Sequence, residues 1–368
     1  MSALFSPLAL RSVVLPNRIA MSPMCQYMAD DGIASPWHMV HLGSRAVGGT
    51  GLVVAEATAV EPTGRLTPGC LGLWSKAHAE ALRPVTDFIL SQGSVPAIQL
   101  AHGGRKSARN RPWDGNDALP SESAWPTHAP SPLPFGDYRQ PHEMTEADLD
   151  RIEAAFVEST RLAHLAGFRL LTLHFAHGYL FHQFYSPLTN LRNDAWGGDP
   201  ERRLAYPLRV VKAIRAAWPE ELPLGTRLSF EDWVPGGFGP DDATAAAAKF
   251  RDAGVDVIEC SSAGLVPDER VSVYPGYHVP FSRRVRAETG VATATVGVIF
   301  DPHQANSIIE DGAADLVMMA RAQLDDPYWA HHAAEQLEDN STWPLPYRRA
   351  VRRFRGFQEE FPMGRGEQ

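Results

Sequence analysis

The sequence predicts an α/β fold, a (β/α)8 barrel built from a single domain. Eight short apolar, β-branched runs recur along the 368 residues, and each is followed by a helical pattern. Several runs lack the alternation of apolar and polar residues, which is typical of parallel strands that are covered on both faces. Eight strand-and-helix units in a chain of this length favour a closed barrel over a doubly wound sheet.

The predicted strands follow one another at intervals that leave room for a helix between them. They cover residues 18–21, 52–57, 95–100, 170–174, 224–229, 255–260, 292–296 and 316–320. The clearest helix begins after Thr145, where the sequence Thr-Glu-Ala-Asp is typical of a capping box. Apolar Leu149, Ile152 and Phe156 then give it one buried face, and it ends near Gly167.

Two segments depart from the regular alternation inside this single domain of residues 1–368. Residues 103–144, after the third strand, form an insertion with seven prolines. A loop of this length is either a functional lid or mobile segment, or a solvated linker. The C-terminal tail, residues 344–368, holds five arginines between Tyr347 and Arg355, which indicates a solvated helix face or a contact with an anion or another subunit.

Composition and charge restrict the class of protein. Hydrophobic residues make up 44% and charged residues 21% of the chain, as in globular proteins. The 34 basic and 43 acidic residues give a formal charge of -9, which argues against general nucleic-acid or anionic-membrane binding. No apolar run approaches the ~18 residues of a membrane span, and a cytoplasmic location is expected.

The three cysteines, Cys25, Cys70 and Cys260, are odd in number and include no CxxC pair, so they indicate neither a disulfide framework nor a cysteine zinc site. Cys25 follows the first strand. By itself it fits a nucleophile, a contact that tunes a redox group, or a small buried hydrophobe.

Polar residues are concentrated where the predicted strands end, and these ends form the active-site face of a βα barrel. Three histidines, a glutamine, a tyrosine and two arginines follow individual strands. The candidates are, in chain order, Ser22 to Tyr27, Gln99, His102, His174, His177, Tyr179, Arg227, Gly297 and Arg321.

His174, His177 and Tyr179 form the densest group. If the chain turns after His174, both imidazoles lie on one side and donate to a single carbonyl oxygen, where they stabilise developing negative charge. Alternatively, the two histidines hold a metal ion. Tyr179 is either a proton donor or an amphipathic aromatic at the barrel rim.

Two arginines predict a charged ligand. Arg227, in an apolar strand, requires an anion opposite, either a cofactor that bears negative charge or a carboxylate such as Glu56 or Glu231. Gly297 and Arg321 follow the seventh and eighth strands, where barrels commonly bind phosphate. Together they predict a phosphorylated ligand.

These residues lie in segments that resemble the Old Yellow Enzyme family of FMN-dependent ene-reductases, in particular its bacterial, thermophilic-like branch. The resemblance spans nearly the whole chain. The motifs are NRIAMSPMCQY (17–27), EATAV (56–60), QLAHGGRKS (99–107), HFAHGYL (174–180), SPLTNLRNDAWGG (186–198), CSSAGLV (260–266) and ADLVMMAR (314–321).

The resemblance implies a TIM barrel that holds FMN at its mouth and works by a ping-pong mechanism. NADPH or NADH is the reductant, and the acceptor is an α,β-unsaturated carbonyl compound, a quinone, a nitro compound or another xenobiotic. It implies that the flavin ring contacts Ser22, Pro23, Met24, Cys25, Ala57, Gln99 and Arg227, and that the phosphate contacts Gly297, Val298, Ala320 and Arg321.

The resemblance also implies the roles of the reacting residues. His174 and His177 bind the carbonyl oxygen of the acceptor, and Tyr179 delivers a proton. Cys25 tunes the flavin potential, and Tyr27 contacts the substrate.

The chain departs from the family pattern at Ala320, where the phosphate motif usually has glycine. Relatives of this branch lend a C-terminal arginine to a neighbouring subunit, which implies a homo-oligomer, and Arg353 or Arg355 is the candidate. The alternative function is a metal-dependent barrel lyase or hydrolase with His174 and His177 as ligands. The sequence leaves open the physiological acceptor, the nicotinamide preference and the oligomeric state.

Overall fold

The computed structural model describes residues 2–340, 343–348 and 351, and its centre is a closed barrel of eight parallel strands. The strands are β1 (Ile19–Met21), β2 (Leu52–Ala59), β3 (Val95–Ala101), β4 (Leu170–Phe175), β5 (Leu224–Ser229), β6 (Val257–Ser261), β7 (Ala292–Thr295) and β8 (Leu316–Met319). β8 pairs with β1 in the register Val317–Ile19, which closes the barrel. The predicted (β/α)8 fold is confirmed.

Helices surround the barrel and connect its strands. They are α1 (Pro36–Val47), α2 (Lys76–Ser91), α3 (Glu146–Leu165), α4 (Leu180–Tyr185), α5 (Pro200–Ala217), α6 (Pro240–Asp252), α7 (Val279–Thr289), α8 (Pro302–Glu310), α9 (Arg321–Asp325) and α10 (Trp329–Gln336). Short 3-10 helices cover Ala3–Phe5, Pro62–Gly64, Gly104–Lys106 and Pro112–Asp114. Among the described residues, no helix is both long and apolar enough to cross a lipid bilayer.

The elements agree with the sequence prediction except near their ends. The Thr145 side chain accepts from the backbone N–H of Asp148, whose carboxylate accepts from Thr145, so the predicted capping box starts α3. β6 begins at Val257 rather than at 255, because the backbone N–H of Val255 still donates to Phe250 at the end of α6.

An antiparallel hairpin, Leu8–Leu10 with Val13–Leu15, precedes the barrel, and its Leu10 and Leu15 enter the core. The sequence analysis did not predict it. Within residues 103–144 a second small sheet pairs His128–Ala129 with His142–Glu143. Arg105 anchors this segment through hydrogen bonds to the carbonyl groups of Leu133 and Pro134. Arg353 and Arg355 lie outside the described residues.

Candidate functional site

A cavity of about 150 Å³ opens at the carboxyl ends of β7 and β8. Gly297 and Val298 line it, with φ of 122° and 54°. The left-handed region is unfavourable for a β-branched residue, and such strain tends to occur at ligand sites. A Cβ atom at Gly297 would lie 2.9 Å from the Tyr277 ring, so the close approach requires glycine.

Ala320 and Arg321 line the same cavity at the start of α9. The guanidinium of Arg321 lies 6.0 Å from the centroid of the Phe300 ring, and no described carboxylate lies within 4.0 Å of it. Ala320 has φ -107°, so alanine in place of the family's glycine causes no left-handed strain. The cavity thus offers an arginine whose charge is available to an anion.

Arg227 lies on β5 and forms an ion pair with Glu259 on β6, with 3.1 Å between Nε and Oε1. The two residues face each other in the register of the adjacent strands. The suggested partners Glu56 and Glu231 were therefore wrong: Glu56 lies 3.3 Å from Nε2 of His38 instead. The Arg227–Glu259 contact lacks hydrogen-bond geometry, which leaves the Nε–H of Arg227 without a described hydrogen-bond acceptor.

The segment after β1 brings Ser22, Pro23, Met24 and Cys25 to the mouth of the barrel. The backbone N–H of Ser22 donates to the carbonyl of Met319 on β8, the strand that ends just before Ala320 and Arg321. This hydrogen bond joins the segment to β8. The end of this segment is fixed because the backbone N–H of Gln26 donates to the carboxylate of Glu56.

Oγ of Ser22 and Nε2 of Gln99 on β3 are also buried at the mouth without a hydrogen-bond partner in the described part of the chain. Ala57 lies on β2, where the pairing with β3 shifts register between Ala55 and Ala57. Buried polar groups are normally satisfied, so unpaired ones call for a ligand.

These observations test whether the residues fit FMN. A flavin ring presents carbonyl and nitrogen acceptors to amide and guanidinium donors, and the phosphate requires positive charge. The unpaired Gln99 amide, Arg227 and Arg321 supply those donors. In the described part of the chain, the cavity beside β7 and β8 is lined by no Asp or Glu. The residues present fit the group.

His174 and His177 meet at the end of β4, with ring centroids 5.0 Å apart at 84°. Burial and then the charge of Arg227 lower the pKa of both imidazoles well below the ordinary value, so both are neutral. Nδ1 of His174 accepts from the backbone N–H of Ala176, which leaves the proton of the ring on Nε2. His174 is therefore a neutral hydrogen-bond donor.

Ser261 links His177 to Arg227, and sequence reasoning missed it. Nε2 of His177 lies 2.8 Å from Oγ of Ser261, which also accepts from Arg227 at 3.5 Å. When Oγ of Ser261 donates to Nε2 of His177, the imidazole proton is on Nδ1, and that nitrogen is then the free donor. The quoted CSSAGLV motif contains Ser261, but only the strand register brings it to His177.

The backbone of His177 is strained and firmly held. Its φ is 58°, its N–H donates to Oγ of Ser229, and its carbonyl accepts from Nζ of Lys106 at 3.0 Å. Lys106 also donates to the carbonyl of Gly264 at 2.7 Å and so ties the loop after β4 to the loop after β6. Burial and then Arg109 lower the pKa of Lys106 to about 7.

Tyr179 lies beside His174, with ring centroids 4.8 Å apart. Burial and then Cys25 raise the pKa of Tyr179 above the ordinary value, so it keeps its proton until a stronger base forms nearby. Tyr27 packs with Cys70 and Leu66 in a small cluster that Cys25 and Tyr179 adjoin. The structure therefore brings the predicted reacting residues together.

Cys25 is a neutral thiol in this setting. Burial and then the Glu56 carboxylate raise its pKa well above the ordinary value. The thiolate is the nucleophilic form, so this environment disfavours the nucleophile among the three interpretations of Cys25. For the metal alternative, no cluster of three or more His, Cys, Asp and Glu side chains able to hold an ion occurs in residues 2–340, 343–348 and 351.

Comparisons with known proteins also indicate a flavin-dependent oxidoreductase. A profile described as the NADH:flavin oxidoreductase / NADH oxidase family matches residues 3–340. An NADPH dehydrogenase of Geobacillus sp. (strain WCH70) is 41% identical over 352 residues, 95% of this chain and 98% of that protein. An NADPH dehydrogenase of Bacillus subtilis (strain 168) is 38% identical over 348 residues, 94% of this chain and 98% of the relative.

The solved structure of morphinone reductase superposes with a TM-score of 0.77 at 25% identity. The match covers 94% of this chain and 92% of that one.

Proposed function

The chain belongs to the NADH:flavin oxidoreductase / NADH oxidase family and is a flavin oxidoreductase that uses FMN and NAD(P)H; from this premise we propose that it reduces the activated C=C bond of α,β-unsaturated carbonyl compounds in a ping-pong cycle. The observation that carries the proposal is the pair of neutral imidazoles, His174 and His177, at the end of β4. Quinones, nitro compounds and other xenobiotics are further candidate acceptors.

The two imidazoles bind the carbonyl oxygen of the acceptor. Reduction at Cβ places negative charge on that oxygen, so neutral N–H donors that are already oriented bind the transition state better than the ground state. Nε2 of His174 is oriented by the Ala176 N–H, and His177 by Ser261. Exclusion of water from this buried site strengthens both hydrogen bonds.

Tyr179 supplies the proton that the product needs at Cα. Its raised pKa keeps the phenol protonated at neutral pH, so its proton is available to a carbanion or enolate. Its position against the His174 ring keeps it near the bound acceptor. Tyr27, on the same side of the mouth, contacts the substrate.

Both substrates use one mouth in turn, where FMN, when bound, carries the hydride between them. We propose that its ring is held by Ser22, Pro23, Met24, Cys25, Ala57, Gln99 and Arg227, and its phosphate by Gly297, Val298, Ala320 and Arg321. The neutral Cys25 thiol tunes the flavin potential. Cys25→Ala should shift that potential and leave turnover intact, whereas an inactive flavin-loaded variant would contradict the tuning role.

We also propose that the chain forms a homo-oligomer, on the strength of the family resemblance, and that residues 103–144 form a wall of the substrate mouth. Sedimentation velocity at micromolar concentration tests the first statement: a single species at the mass of one chain, 40.4 kDa, would contradict it.

Steady-state reduction of 2-cyclohexenone by NADPH and by NADH, with the FMN-loaded protein, tests the proposed acceptor class. Replacing His174 or His177 with Ala should lower kcat/KM for the enone by about a hundredfold, in line with the loss of an oxyanion donor. FMN content should stay unchanged. His303→Ala, on the exposed surface, is the matched control.

Titration with p-hydroxybenzaldehyde, followed by the flavin absorbance, measures binding at the same donors without turnover. Weaker binding in both histidine variants supports the assignment. Unchanged enone kinetics and unchanged affinity in both variants would remove it, and an acceptor panel with a quinone and a nitroarene would then identify another class.

A further inference from the structure

The segment from Arg105 to Arg111 carries four cationic side chains, and the structure gives three of them clear partners. Arg105 donates to the carbonyl groups of Leu133, Pro134 and Leu265. Lys106 donates to two carbonyl groups at the His177 loop. Arg111 donates to the carbonyl of Tyr27 and lies 3.9 Å from the Asp114 carboxylate. These three residues hold the segment in place.

Arg109 differs from Arg105 and Lys106 because its hydrogen bonds go to two neutral side chains rather than to backbone carbonyl groups. Nη1 donates to the side-chain oxygen of Asn116, and Nη2 donates to the hydroxyl of Tyr27 at 3.4 Å. The hydroxyl of Tyr138, fixed by its bond to the Asn116 carbonyl, lies close by. Nε is buried without a hydrogen-bond partner, and no carboxylate of the described residues lies within 4.0 Å of the guanidinium.

The guanidinium of Arg109 lies at the substrate mouth. Tyr27, its hydrogen-bond partner, packs with Cys70 and Leu66 beside Cys25. Burial raises the pKa of Tyr27 and of Tyr179, and in both cases Arg109 is the positive charge that opposes the rise. The arginine is therefore close enough to both phenols for its charge to be felt.

We propose that Arg109, held by Tyr27 and Asn116, is a subsite for an anionic oxygen group on the molecule bound at the mouth. A half-buried guanidinium with only neutral partners has lost part of its hydration without gaining a counter-ion. A carboxylate or phosphate would supply that charge and form charge-assisted hydrogen bonds with it. The inference rests on the proposed function, because it assumes that the acceptor and the nicotinamide enter this mouth.

Two molecules could bring the anion: an acceptor that carries a carboxylate, or the phosphate groups of NADPH. Matched phenols test the first source. We would titrate the FMN-loaded protein with 3- and 4-hydroxybenzoate and with the corresponding neutral amides, following the flavin absorbance. In Arg109→Met, the affinity for at least one benzoate relative to its amide should fall by roughly tenfold to a hundredfold. Arg109→Lys should restore part of the ratio.

Rapid-mixing reduction of the flavin by NADPH and by NADH tests the second source. If Arg109 binds the nicotinamide, its substitution with Met raises the apparent Kd of NADPH and leaves the benzoate-to-amide ratio unchanged. Arg139→Met is the matched control, since Arg139 is an exposed arginine within residues 103–144 that contacts Leu119 and Ser121.

A change in either measurement that is specific to Arg109 supports the subsite and identifies the source. Unchanged ratios together with unchanged NADPH affinity overturn it. If the wild-type protein neither binds the phenols nor reduces enones, the proposed function fails, while the NADPH experiment still tests the subsite independently.

Discussion

Asp232 forms a buried network that fixes the loop between β4 and α4, and Asp232→Asn tests it. One carboxylate oxygen lies 2.7 Å from Nε2 of His182, and the other accepts from Oγ of Ser186 and the N–H of Phe238 at 2.7 Å each. Nδ1 of His182 in turn accepts from the Gly178 N–H. Burial alone would raise the pKa of Asp232, but His182 and these hydrogen bonds hold it below the ordinary value.

An asparagine cannot satisfy every donor of this network. If its NH₂ group faces Phe238, the N–H of Phe238 has no acceptor. If it faces His182, the imidazole must move its proton to Nδ1, and the Gly178 N–H then meets a donor. One buried unsatisfied donor costs about 1–3 kcal/mol, and a hydrogen bond to a charged group, such as this carboxylate, contributes about 1.5–3 kcal/mol. Since asparagine keeps the shape and part of the hydrogen bonding, we expect a loss of about 2–4 kcal/mol.

Thermal unfolding at a fixed scan rate measures this loss. At about 2.1 cal/mol/K per residue, the unfolding entropy of the chain is roughly 0.8 kcal/mol/K, so Tm should fall by about 3–5 °C. Affinity for p-hydroxybenzaldehyde should fall as well, because Gly178 adjoins His177. Asp87→Asn is the control: it breaks an exposed pair with Arg83, which contributes about 0.3–0.5 kcal/mol. An Asp232 variant as stable as this control would refute the reasoning.

Three further changes test the loop that carries the imidazoles. Gly178→Ala should lower Tm far more than Gly93→Ala. Both glycines have positive φ, but a Cβ at Gly178 would lie 2.0 Å from a backbone carbonyl oxygen, whereas nothing lies within 4 Å of a Cβ at Gly93. Equal losses would exclude the steric cause. Burial, then Arg227, lowers the pKa of His174 and His177. Below about pH 6.5 the unfolded chain therefore binds protons that the folded chain does not, and the protein loses stability as the pH is lowered. Replacing both with Asn should reduce that slope by up to about 1.4 kcal/mol per pH unit for each imidazole, measured as Tm against pH, and an unaltered slope would contradict it. Lys106→Met should weaken p-hydroxybenzaldehyde binding roughly tenfold, because the His177 carbonyl loses its donor; an unchanged titration would contradict that role.

The barrel was predictable because each strand carries its own local signal. The run at Leu52–Ala59 is mostly apolar, with Glu56 and Thr58 as its polar positions, and is buried on both faces, as a parallel strand requires. The capping box at Thr145 marks the start of α3 through contacts within one turn. The hairpin at Leu8–Leu10 and Val13–Leu15 gave no such signal, because three-residue strands are too short for a period to emerge.

The candidate site was predictable as a set of positions but not as a set of contacts. All barrel strands point the same way, so residues after them must gather at one end. The partner of Arg227 depends on register: Glu259 lies opposite it on the next strand, which no local pattern indicates. Lys106 and Gly264 meet across a sequence separation of 158 residues, so this link likewise required the structure.

An anaerobic double-mixing experiment tests the central claim most directly. The FMN-loaded protein is first bleached with one equivalent of NADPH and is then mixed with 2-cyclohexenone. We predict that the flavin absorbance returns with one equivalent of enone, and at least about a hundredfold more slowly when His174 and His177 are both replaced with Ala. A bleached protein that stays bleached with the enone, or one that recovers equally fast without the imidazoles, would contradict the account.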